Sequence, residues 1–190
     1  PLPVNMRILT PPATEPVTLD EAKAAARISG SAHDALLPGL ITSARQSAEH
    51  ITGRCLMEQT RRFEMFDWPG ITDPLPVPDA SAVAISYWSG SAWVSLSGGA
   101  FEFAPLFGAT VVAPVSGTSW PTLGTKVIGA RVRIDITAGA ETADDVPECV
   151  KLYIKALVAW WVDNPSAVAD GRLQEAPFLA NLLDPVRVWA

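Results

Sequence analysis

Histidine and cysteine are scarce in this 190-residue sequence, with only two of each. The cysteines, Cys55 and Cys149, show no CxxC spacing and no neighbouring ligand cluster, whereas a zinc site needs about four such ligands. They read as free, buried thiols of a reducing compartment, and no metal or other cofactor is expected. His33 stands beside Asp34, and His50 lies late in a helical stretch. Neither has a visible partner for general-base or metal chemistry, so both read as surface or interface imidazoles. No GxSxG elbow, Walker loop, GxGxxG or HExxH motif is present, and a hydrolase serine in the β loops would lack a base. Catalytic residues are therefore expected to be absent: the chain is not read as an enzyme.

Positive charge is also in short supply. Fourteen Lys and Arg face twenty Asp and Glu, giving a net charge of −6 and a pI of about 4.8. That balance argues against a general phosphate-backbone binder, though it leaves room for DNA sliding past a repelling acidic wall. Long apolar runs are missing too: Leu152 to Val162 is eleven residues interrupted by Lys155, and a bilayer needs about twenty. The start, PLPVNMRILTPP, lacks the basic end, apolar run and cleavage site of a signal peptide. A soluble, initially cytoplasmic protein is the expectation.

What is present is a globular composition, 48% hydrophobic and 18% charged, with no internal repeat. Periodicity divides the chain: residues 18–55 and 145–184 read as helical, 60–140 as strands and turns. Thr18-Leu19-Asp20-Glu21 forms a capping box before AKAAARI, and Gly30 is placed to stop that helix. A second helix can begin at Asp34 with Pro38 in or near its first turn. It carries Leu37, Ile41, Ala44, Ala48 and Ile51 on one face and ends at Gly53. Asp20-Glu21 and Asp144-Asp145 are carboxylate pairs at helix starts, where they offset the dipole.

From Arg61 the pattern alternates through RRFEMF, AVAISYW, AWVSL, FEFA, TVVA and RVRIDITAG, separated by Gly-, Ser- and Pro-rich turns. Trp68, Trp88, Trp93 and Trp120 in this region could stack on a ligand, but such residues more often fill a small β core. A third helix opens with Asp145 as cap and Pro147 in its first turn. Val150, Ile154, Leu157 and Trp161 form one stripe, widened by Tyr153, Ala156 and Trp160. A helix so apolar is central in a core or covered by a partner. Beyond Asn164-Pro165 a short helical pattern follows Pro177, with Phe178, Leu179, Leu182 and Leu183, and stops at Asp184-Pro185.

The stretches PVTLDEAKAAARI and HDALLPGLITSARQSAEHITGRCL resemble the start of tailed-phage head–tail connector (adaptor) proteins. The resemblance rests on the Thr-Leu-x-Glu-Ala-Lys opening and on Glu49, Thr52, Gly53, Arg54 and Leu56. It extends to the inserted β segment, the aromatic helix after Val146-Pro147, and the tail positions Leu182, Leu183, Pro185 and Arg187. Departures are Ala24-Ala25-Ala26 where bulkier residues are common, and Val186 where Tyr is frequent. The resemblance implies a ring-forming subunit, typically dodecameric, lying under the portal of a phage or gene transfer agent particle. Such a ring extends the DNA channel, and its C-terminal segment inserts into the portal.

The expected fold is α+β, a helical bundle with an inserted antiparallel β module. Its parts are an N-terminal arm (1–17), a helical core (18–59 with 141–165), the β module (60–140) and a portal-docking tail (166–190). Portal contacts are expected from Phe178, Leu179, Leu182, Leu183, Val186, Arg187 and Trp189. Contacts between copies are expected from Arg54, Tyr153, Leu157, Trp160 and Trp161. Partners would be further copies, the portal, a tail-side stopper or tail terminator, and double-stranded DNA passing without sequence-specific contact. No membrane is involved. The alternatives are a carbohydrate- or ligand-binding module built on the tryptophans, and another neck component such as a stopper or tail terminator.

Overall fold

A computed structural model describes residues 5–106, 108–164 and 179–188. The chain divides into two compact units. Among the described residues one comprises 13–57, 140–164 and 179–188, the other 5–12, 58–106 and 108–139.

The first unit is helical. Helix α1 (Leu19–Ala25) starts at the foreseen capping box: the Glu21 amide donates to the Thr18 hydroxyl, and the Thr18 amide donates to the Glu21 carboxylate. The helix does not run on to Gly30. It ends at Ala26, with Arg27 in the left-handed region (φ +55°). The Arg27 amide bonds to the Ala24 carbonyl and the Ile28 amide to that of Lys23. This Schellman closure turns Ile28 back against the core. The packing of Ile28 thus overrides the glycine signal two residues later.

Helix α2 (Leu37–Thr52) likewise begins later than Asp34. Asp34 accepts from Lys23 Nζ at 2.7 Å instead of capping. Pro38 sits in the first turn, where a missing N–H costs no intrahelical bond. Leu37, Ile41, Ala44 and Ala48 are buried and Ile51 packs against them.

Helix α3 (Glu148–Asp163) takes Pro147 as its cap. Asp145 is not the cap: it ends a 3-10 turn (Ala143–Asp145) and its carboxylate accepts the Thr142 hydroxyl. Val150, Ile154, Leu157 and Trp161 are all buried, as their spacing predicts. At the C-terminal end a 3-10 helix (Ala180–Val186) continues through Asp184-Pro185, where the sequence pattern foresaw a stop. It packs against both α2 and α3.

The second unit is β. Its five-stranded antiparallel sheet has the order β1-β2-β7-β3-β4. The strands are β1 (Asn5–Thr10), β2 (Gln59–Met65), β3 (Ala80–Trp88), β4 (Trp93–Ser95) and β7 (Val132–Ala138). A separate hairpin joins β5 (Phe101–Leu106) to β6 (Ala109–Pro114). Each alternating stretch of sequence holds a strand, and β1 adds one from a segment read as an arm.

Burial follows the two-residue period. Val132, Ile134, Ile136 and Ala138 of β7 are buried, while Arg133, Asp135 and Thr137 between them are half-buried. Phe63 and Ile85 flank Ile134 on the covered face. On the other face Arg62 forks onto Asp135 with two 2.7 Å bonds, and Arg133 donates to Glu64 at 3.0 Å. The bond to Asp135 is the main reason the Arg62 guanidinium is held above its ordinary pKa. Gly124 is required where it stands. Its amide bonds to the Trp88 carbonyl, and a Cβ there would overlap the backbone of Ser89 and Gly90.

Candidate functional site

The positions that carried the resemblance form one structure at the end of α2. Arg45, only 4% exposed, is held between two carboxylates: Nε meets Glu15 at 2.7 Å and a terminal nitrogen meets Glu49 at 3.0 Å. Burial alone would lower its pKa. The hydrogen bond it donates to Glu15 and the charges of Glu49 and Glu15 outweigh burial and hold it above the ordinary value. Glu15 also accepts the Thr42 hydroxyl at 2.8 Å. The second oxygen of Glu49 accepts the Leu56 amide at 3.1 Å. This side chain therefore fixes how the chain leaves the helix.

Next come the stop and the grip. Gly53 adopts φ +71° and its amide bonds to the Glu49 carbonyl, ending α2 in a left-handed cap. The Thr52 carbonyl accepts the Val188 amide at 2.9 Å, and Arg54 Nε donates to the Val186 carbonyl at 2.8 Å. The Glu-x-x-Thr-Gly-Arg signature is thus a clamp on the C-terminal 3-10 segment.

That placement changes how the tail residues are to be understood. Leu183 is fully buried and Leu179 nearly so, both within the core of their own unit. Leu182 and Val186 are half-buried against the same core, and Arg187 is exposed. Phe178 and Trp189 lie outside the described residues.

Tyr153, Leu157 and Trp161 are at most 1% exposed. Their own side chains have no surface to offer a neighbour, because they build the core on which α1, α2 and the 3-10 segment pack. The Tyr153 hydroxyl is paired inside, 2.9 Å from that of Ser47. Trp160 keeps partial exposure. Leu152, which the sequence reading passed over, is 49% exposed one helical turn before Ala156 and two before Trp160. Its i, i+4, i+8 spacing was the available signal.

The four tryptophans of the β unit are half-buried and engage one another. Trp68 stacks on Trp120 (4.5 Å, 5°), and Trp88 meets Trp93 edge-on at 5.9 Å. Arg133 lies 3.9 Å from the Trp93 ring centre, and Lys126 reaches both Trp88 and Trp93. Each of the four rings thus has a tryptophan partner. No group of three or more metal-ligating side chains occurs among the described residues.

Residues 16–90, which contain both the capping box and the clamp signature, match the Phage gp6-like head-tail connector protein family. No curated protein matches this chain.

Among solved structures, the chain is similar to a chain from the neck of an empty gene transfer agent particle computed with C6 symmetry. That likeness has a TM-score of 0.77 and 19% identity, over 98% of this chain and 97% of that one. A chain from the virion of a native gene transfer agent particle is similar with a TM-score of 0.76 and 20% identity, over 97% and 96%. A chain from the neck of the native particle computed with C12 symmetry has a TM-score of 0.66 and 21% identity, over 96% and 97%. At these identities the likenesses establish a shared fold.

Proposed function

We propose that this chain is a ring-forming neck subunit of a phage-like particle, seated beneath the portal so that its ring extends the DNA channel. The match of residues 16–90 to the head-tail connector family carries this reading. It is supported by the shared fold with chains from gene transfer agent necks computed with C6 and C12 symmetry. Repeated copies about one axis require head-to-tail contacts, which close into a ring when the rotation per copy permits.

The C-terminal segment is the portal-docking element in this reading. Phe178 and Trp189 are its end anchors, Leu182, Val186 and Arg187 add their accessible surface, and Leu179 and Leu183 root the segment in the helical core. Copies meet laterally through the Leu152, Ala156 and Trp160 side of α3 and through Arg54. Tyr153, Leu157 and Trp161 shape that side from beneath.

The tail-side neighbour, a stopper or tail terminator, is met by the β unit. Val127 and Ile128 support this assignment, being 95% and 84% exposed at a loop tip. The base of that loop is pinned by the Trp88 Nε1 bond to the Thr125 carbonyl and by Lys126 on the Ala130 carbonyl. Double-stranded DNA passes the lumen without sequence readout, in keeping with the acidic balance.

The test is binding of purified portal to the connector and to a Trp189→Ala, Arg187→Ala double variant. The reading expects about thirtyfold weaker binding with unchanged thermal stability. Equal affinity would remove the docking role from this segment.

A further inference from the structure

The β unit has three open strand edges among the described residues, and they are protected unequally. Strand β4 is only three residues long. Strand β5 carries Pro105, which cannot donate from its edge. Shortness and proline are two of the devices by which proteins blunt exposed edges. Strand β1 has neither. It is six residues long, exposed at every position, and presents Met6, Ile8 and Leu9 at 49%, 47% and 41% exposure. The register sets Met6 opposite Phe63 on the face of β2 that is covered. Arg7 lies on the other face opposite Arg62, which Asp135 already satisfies.

A complementary edge exists on the same chain. The far side of β6 is occupied, because Leu75 and Thr110 exchange both backbone bonds. The outer side of β5 is not taken by a strand among the described residues. Strand β5 is also six residues long, and it is exposed from Glu102 to Leu106. Phe103 (38%) and Leu106 (41%) stand on its opposite faces, with Glu102 on the Leu106 side. An apolar face meets an apolar face, and the acid answers the cation of β1.

We propose that β1 of one copy adds to the outer edge of β5 on the next, with Ile8 and Met6 against Phe103 and Arg7 paired to Glu102. The proposal rests on the ring reading above and supplies one of its head-to-tail contacts. Main-chain bonds give the affinity and the side chains select the partner edge. Pro105 leaves one position unbonded and discourages β5 from pairing with itself.

The experiment follows assembly of the full chain by native mass spectrometry across a concentration series. Ile8→Lys and Phe103→Lys should each weaken association about thirtyfold while leaving the melting temperature of the monomer in place. Mixed together, the two variants should form a dimer and nothing larger, because each retains the edge that the other lacks. Arg7→Glu and Glu102→Arg should each weaken assembly, and the double exchange should restore it. Normal assembly of the single variants, or no dimer on mixing, overturns the edge contact while the ring reading stands. A wild-type chain that never associates, alone or on a portal, overturns both.

Discussion

Arg54 and Val186, 132 positions apart in sequence, are joined by a 2.8 Å bond from the guanidinium Nε to the backbone carbonyl. This contact, with the Val188 amide on the Thr52 carbonyl, ties the C-terminal segment to the end of α2. Replacing Arg54 with Ala should loosen that tie. Hydrogen exchange across residues 180–188 should accelerate, with a stability loss of about 1–2 kcal/mol. Unchanged exchange there would show that the Val188–Thr52 bond and the buried leucines hold the segment without Arg54.

Gly53 is the hinge of the same clamp. At φ +71°, a Gly53→Ala change is strained and should cost about 1 kcal/mol in chemical denaturation. Added to Arg54→Ala, its effect should fall short of additive, because both act on one segment. Full additivity would separate the helix cap from the clamp.

The Arg45 pair with Glu15 and Glu49 is a buried charge cluster. Arg45→Ala leaves two carboxylates without their cation and should destabilise by about 3 kcal/mol or more. Arg45→Met with Glu15→Gln and Glu49→Gln should recover part of that loss in thermal unfolding. A mild effect of Arg45→Ala would mean that water reaches the site.

These elements were legible in the sequence to different degrees. Thr18 and Glu21 announced their capping box because the interaction lies within one turn. The buried stripe of α3 was readable because 3.6-residue periodicity is local. The end of α1 was not, because the position of Ile28 in the core decides it. Nor was the role of Leu179 and Leu183. An apolar tail reads alike whether it is packed on its own unit or offered to a partner, and only the Thr52 and Arg54 contacts distinguish the two. Strand β1 escaped notice because its apolar–polar alternation, Met6-Arg7-Ile8, is only three residues long, and its pairing with β2 joins residues fifty or more positions apart.

The capping box makes a pH prediction. The Thr18 backbone amide, then its hydroxyl, hold Glu21 below the ordinary glutamate pKa. A depressed carboxylate contributes stability that is complete above its unfolded value, about 4.3. That contribution is lost as pH falls through the lower folded value. Thr18→Ala should cost about 1 kcal/mol at neutral pH. Glu21→Gln should flatten the acid limb of the stability profile below the unfolded glutamate value. An unaltered acid limb in Glu21→Gln would show that Glu21 carries no linkage.

The central claim is that this chain is a ring-forming connector. Native mass spectrometry with negative-stain imaging, on the purified chain alone and mixed with the portal of its own particle, tests it most directly. The account predicts a closed ring of identical copies, free or seated on the portal. A chain that remains monomeric at every concentration and ignores the portal would contradict it.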